Sequence, residues 1–73
     1  MEQNLITPKY RFKLKAYIIR AGFRNLSEFA EVIGVDVSRI SRVCSGWELP
    51  APRLAKKMAN GMGINLKELR ELL

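Results

Sequence analysis

A chain of 73 residues holds one domain and not two. At this size only about 60% of the unfolded surface is buried, so the core is thin and dimerisation would help it. Thirteen Lys and Arg against seven Asp and Glu give a net charge of +6. That is the electrostatic footprint of a polyanionic partner, although a basic but inert surface carries the same balance. A single cysteine excludes an intramolecular disulfide, the absence of histidine and of ligand spacing argues against a metal, and no apolar run approaches a membrane span.

Taken in order, residues 1–6 show no periodicity and are expected to form a flexible arm, leaving 7–73 as the folded domain. Thr7-Pro8 reads as a helix start, with Thr7 as N-cap and Pro8 in the first position, where its missing N–H is not needed. The first helix is expected to run to about Ala21 and end at Gly22, with Tyr10, Leu14, Tyr17, Ile18 and Ala21 inward. Lys9, Arg11, Lys13, Lys15 and Arg20 mark its wet side, with Arg24 just beyond, and no acid lies between Glu2 and Glu28. Such a like-charged surface is destabilising unless an anion offsets it. Phosphate is one candidate, and a plain solvated face is the other reading.

The stretch Asn25–Gly46, NLSEFAEVIGVDVSRISRVCSG, carries the clearest pattern. Asn25 with Glu28 three residues on predicts a capping box, and Phe29, Ala30 and Ile33 share one apolar face. Gly34 stands where the helix must stop, because a left-handed residue there costs little only for glycine. Asp36 can cap a second helix whose Ile40, Val43 and Cys44 point inward while Ser38, Arg39 and Arg42 point outward. Ala30 is small where the two helices must cross closely. This is a helix-turn-helix over about 26–45, a motif that also occurs in helical domains that touch no nucleic acid.

Ser45-Gly46 closes that helix and Trp47–Pro50 reads as a loop. Pro52 opens a fourth helix with Leu54, Ala55, Met58, Ala59 and Met62 on one face, and Gly61 within it predicts a last turn that is loose or closely packed. Gly63 ends it. Asn65 with Glu68 predicts a second capping box and a fifth helix bearing Leu66, Leu69, Leu72 and Leu73. No strand signal is present, so the fold class is all-α with five helices.

From Gly22 to Leu69 the chain resembles the lambda-repressor/Cro-type helix-turn-helix family. It carries F-A-x-x-I-G-V from Phe29 to Val35, I-S-R-V from Ile40 to Val43, Gly46, Leu49-Pro50, and L-A-K-K-M-A-N-G-M-G-I-N-L-K-E-L from Leu54 to Leu69. The resemblance implies a five-helix fold, binding to operator DNA as a two-fold homodimer, and action as a transcriptional regulator of prokaryotic or phage origin. The chain departs from the family at Leu26, where a glutamine is common, at Val37, often polar, and at Cys44 and Trp47, more usually charged.

A recognition helix at about 37–45 presents its N-terminal outward residues to base edges in the major groove. Those are Val37, Ser38, Arg39 and, one turn on, Arg42. Arg42 has the fork geometry for guanine, or pairs with a phosphate; Val37 packs on a thymine methyl or fills the gap between helices. Phosphate contacts are expected from the helix start at Asn25 and Ser27 and from the amides of Ser45 and Gly46. Further contacts are expected from Trp47, unless that ring covers the core edge, and from Arg53, Lys56 and Lys57. Leu69, Leu72 and Leu73 form a dimer surface or close the core. Cys44 reads as a buried filler, with a redox switch as the alternative.

These readings favour a cytoplasmic, sequence-specific binder of double-stranded DNA, a repressor or Cro-like switch controlled by concentration, dimerisation or a partner. The alternative is an antitoxin-type protein-interaction module whose DNA binding is autoregulatory. An enzyme is not expected, since no histidine, metal set, activated nucleophile or glycine-rich phosphate loop is present. No cofactor is expected either.

Overall fold

The computed structural model describes residues 9–73, so the expected arm at 1–6 and the Thr7-Pro8 helix start lie outside the described residues. Five helices follow in order: α1 Phe12–Arg20, α2 Leu26–Ile33, α3 Val37–Cys44, α4 Pro52–Met62 and α5 Leu66–Leu72. No strand occurs among the described residues, and no helix there is long and apolar enough to cross a membrane.

Helix α1 begins later than expected. Arg11 is its N-cap residue without any side-chain cap bond, and Lys9 and Tyr10 are not helical. The cause is non-local. The Arg11 amide donates to the carbonyl of Cys44 at 2.7 Å, and its guanidinium donates through Nη1 to the carbonyls of Val43 and Glu48. Carbonyls at a helix C-terminus lack intrahelical partners, and a cation there also meets the negative end of the helix dipole. Arg11 therefore belongs to the end of α3 and not to a wet face of α1. Of the five residues expected inward on α1, only Leu14 and Ile18 are buried; Tyr17 and Ala21 are exposed and Tyr10 is half-buried.

The helix-turn-helix forms as its spacing predicts, with one difference. Asn25 Oδ1 accepts the Glu28 amide at 2.8 Å, but Glu28 does not return the bond to Asn25. Its carboxylate accepts from the Arg24 amide at 2.7 Å and lies 3.7 Å from the Arg24 guanidinium, so an adjacent cation has drawn it one residue upstream. At Asn65 no cation precedes, and the reciprocal box with Glu68 closes as expected. Gly34 is left-handed, φ 75° and ψ 37°, and lets the Val35 amide reach back to Ala30 at 2.9 Å.

The core is one cluster, with Leu14, Ile18, Phe29, Ile40, Val43 and Met58 wholly buried at its centre. Phe23, in the link between α1 and α2, sets its ring edge-on to Phe29 with centroids 5.0 Å apart. Helix α4 buries Leu54, Met58, Ala59 and Met62, as its periodicity requires. A Cβ on Gly61 would lie 2.5 Å from Ile33 Cγ2 and 3.1 Å from the Phe29 ring, so the closely packed outcome is the one realised and α2 rests directly on the α4 backbone. Leu69 is wholly buried, while Leu72 and Leu73 are half-buried against the core. Leu69 thus closes the core and is not available as a dimer surface.

Candidate nucleic-acid interface

Helix α3 is divided by its own periodicity. Ile40, Val43 and Cys44 are buried, which fixes the helix on the core, and Val37, Ser38, Arg39, Ser41 and Arg42 are exposed. The structure thus brings the four expected base-reading residues onto one rigid, outward surface, and adds Ser41, which the spacing did not single out. Val37 is 40% exposed, so it does not simply fill the gap between helices.

Ser38 is already engaged. Asp36 Oδ1 accepts the Ser38 amide at 3.0 Å and the Ser38 hydroxyl at 2.9 Å. These two bonds hold the Asp36 carboxyl below its ordinary pKa against an opposing effect of desolvation, and the positive charge of Arg42 adds the smallest contribution. With its proton directed to Asp36, Ser38 has lone pairs left to accept a bond from a base amino group. To donate to a phosphate it would have to release Asp36.

The two arginines share a carboxylate that the sequence reading did not identify. Arg42 Nε donates to Glu48 Oε1 at 3.1 Å, and Arg39 Nε lies 3.8 Å from Glu48 Oε2. The exposed surface of α3 with its cap and loop therefore carries Arg39 and Arg42 against Asp36 and Glu48, two cations and two carboxylates. Further cations lie beside it on α4. Arg53 and Lys57 line one groove together with Arg39, Val35, Ala51 and Leu54, while Lys56 is exposed outside that groove.

The backbone donors divide unequally. At the start of α2 the amides of Leu26 and Ser27 have no hydrogen-bond partner among the described residues, and Ser27 is exposed. At the end of α3 the expectation is corrected. The amides of Ser45, Gly46 and Trp47 donate to the carbonyls of Ser41, Val43 and Arg42 at 2.8, 3.2 and 3.0 Å, because closing the helix consumes them. Only side chains of this turn remain free. Trp47 is 68% exposed and does not cover the core edge.

Cys44 is buried, and burial raises its thiol pKa while the charges of Lys15 and Arg11 oppose the rise. A neutral, enclosed thiol is a packing group. No cluster of three or more potential metal ligands occurs among the described residues.

The model of the family described as "Helix-turn-helix" matches residues 14–69, most of the chain. No curated protein and no solved structure matches it.

Proposed function

The chain belongs to the lambda-repressor/Cro-type helix-turn-helix family, whose domain binds DNA, and from that premise we propose that it is a sequence-specific transcriptional regulator acting on double-stranded operator DNA. One observation carries this reading: α3 is held by three buried residues and turns Val37, Ser38, Arg39 and Arg42 outward on one face. A side chain that must be matched to a base edge has to project from an element that does not move, and α3 meets that requirement.

In this reading α3 lies in the major groove. Arg42 offers its guanidinium to guanine O6 and N7, Ser38 accepts from a base amino group, and Val37 packs against a thymine methyl. The unpartnered amides at the start of α2, beside Asn25 and Ser27, meet a phosphate. Arg53, Lys56 and Lys57 lie along the flanking backbone, with Trp47 and Ser45 on the sugar-phosphate edge. The regulator works in the cytoplasm of a prokaryotic or phage-infected cell and represses as a homodimer. With Leu69 committed to the core, the dimer surface passes to Leu72 and Leu73 and to the apolar groove of about 280 Å³ lined by Leu49, Leu66 and Leu73.

Selection of binding sites from random duplex DNA, followed by footprinting, tests the proposal. The expected product is an inverted repeat whose half-sites are about one helical turn, ~34 Å, apart. A single short site, direct repeats or no enrichment would contradict it. The antitoxin-type alternative draws support from α1, where Phe12 is 74% and Ile19 39% exposed on a side that no other helix among the described residues covers. Retention of operator binding together with tight capture of a second protein through Phe12 would favour that alternative.

A further inference from the structure

We infer that Glu48 is a specificity-determining residue of the reading face, one that aims Arg39 and Arg42 at base edges and withholds them from phosphates. The inference rests on the DNA-reading function proposed above.

The first support is how the two arginines are held. One carboxylate serves both, Oε1 toward Arg42 Nε at 3.1 Å and Oε2 toward Arg39 Nε at 3.8 Å. Arg39 and Arg42 are three residues apart and therefore neighbours on the helix surface. A guanidinium has two bidentate edges, one including Nε and one formed by the two terminal nitrogens. Engagement through Nε leaves the terminal pair free, and that pair can still match guanine O6 and N7. Each arginine can thus read a guanine without leaving Glu48.

The second support is that Glu48 is itself held. Its carbonyl accepts from Arg11 Nη1 at 3.0 Å, and the same nitrogen also bonds the Val43 carbonyl. Next to it, the Trp47 amide donates to the Arg42 carbonyl at 3.0 Å. The backbone carrying the carboxylate is therefore tied to the last turn of α3 from both sides, and the side chain is only 31% exposed. A freely moving surface glutamate would not define where the arginines point.

The third support is charge. With Asp36 and Glu48 opposite Arg39 and Arg42, the face is nearly neutral in a chain of net charge +6. Random DNA offers phosphates everywhere but no matched guanine, so a phosphate must either draw an arginine off Glu48 or bring its own negative charge up to the carboxylate. An operator with guanines in place requires neither. Glu48 thus weakens binding to the wrong sequence more than to the right one, and discrimination is a difference of affinities.

The experiment uses the full chain, as wild type and as Glu48→Gln, and measures affinity for the selected operator and for a random duplex of equal length across a salt series. In Glu48→Gln the random duplex should bind about tenfold tighter, with a salt slope steeper by about one to two as freed arginines reach phosphates. Operator affinity should change by less than about threefold, so the specificity ratio falls by roughly tenfold. Exposed ion pairs add little to folding, so the melting temperature should not move. The same substitution in an Arg39→Ala/Arg42→Ala background should leave the ratio unchanged. Equal changes on both DNAs, or the same fall in ratio without the arginines, would overturn the inference. A wild type that does not prefer its selected site at all would instead remove the DNA-reading function, and the inference with it.

Discussion

The outward faces of α3 and α4 both carry cations, but they are constrained in opposite ways. On α3 the guanidiniums of Arg39 and Arg42 are tethered to Glu48, and Ser38 is tethered to Asp36. On α4 neither Arg53, Lys56 nor Lys57 has a carboxylate within ion-pair distance among the described residues. The first face has direction and little net charge; the second has charge and no direction. Recognition of a base needs a fixed donor pattern, because a misplaced hydrogen bond is lost. Attraction to a phosphate needs only proximity, since Coulomb interaction and counterion release depend weakly on angle. A domain that must find DNA and then choose a site gains from separating the two tasks onto neighbouring surfaces.

The largest expected effect comes from disturbing the contact that holds the two faces in register. Gly61→Val places a branched side chain where Ile33 Cγ2 would stand 2.5 Å from the new Cβ and the Phe29 ring 3.1 Å from it. Overpacking of this kind costs about 2 kcal/mol. For a domain this small the melting temperature should fall by roughly 10 °C, read by circular dichroism. A variant as stable as wild type would mean that α2 and α4 can separate without loss.

Arg42→Ala sharpens the contrast from the reading side. It should cost about 1–3 kcal/mol per half-site on the operator, relax preference at one base pair, and weaken random DNA much less. If both DNAs weaken equally, Arg42 is a phosphate anchor and reading passes to Ser38 and Arg39. From the clamping side, Lys57→Ala should weaken every sequence alike and lower the salt slope by about one. Binding curves on the two duplexes separate these outcomes, and both variants should stay folded because neither side chain is buried.

The smallest effect concerns the cap of α3. The folded Asp36 carboxyl titrates below its ordinary value of 3.8, chiefly through its bonds to Ser38. A carboxyl depressed on folding stabilises the fold above its unfolded pKa and loses that contribution as pH falls through the folded one. Asp36→Asn, which keeps an N-cap oxygen, should flatten this acid dependence below about pH 4 in urea titrations. An unchanged acid limb would show that the Asp36 carboxylate does not stabilise the start of α3.

Particular residues show where the sequence was legible. Gly34, the Asp36 cap, the Asn65–Glu68 box and the buried side of α4 all follow from spacings of two to four residues, and each forms as read. The division of α3 into a buried and an exposed side was legible for the same reason. The Asn25–Glu28 box failed through a neighbour just as local: Arg24 competes for Glu28, and no cap pattern records which of two adjacent amides a carboxylate will choose. The Ser45–Gly46 amides failed differently, and the sequence leaves Leu69 open between core and dimer surface, since a backbone that can donate or a residue that is apolar does not reveal whether its partner is inside or outside the fold.

What the sequence determined by itself was the set of five helices and, for α2, α3 and α4, their ends and apolar sides, because i to i+3 and i+4 geometry is built into the helix. Only the tertiary structure decided what becomes of the polar groups left over. Arg11 lies 32 and 37 residues from the carbonyls that its guanidinium bonds, so no local pattern could join them, and yet that link starts α1 at Phe12 and anchors the loop of Glu48. Glu48 in turn meets two arginines that the chain presents as a plain outward pair. Charge that sequence can only count is paired or left free by the way the chain brings its segments together, and here that pairing separates the α3 face, whose arginines meet Glu48, from the α4 face, whose cations meet no carboxylate among the described residues.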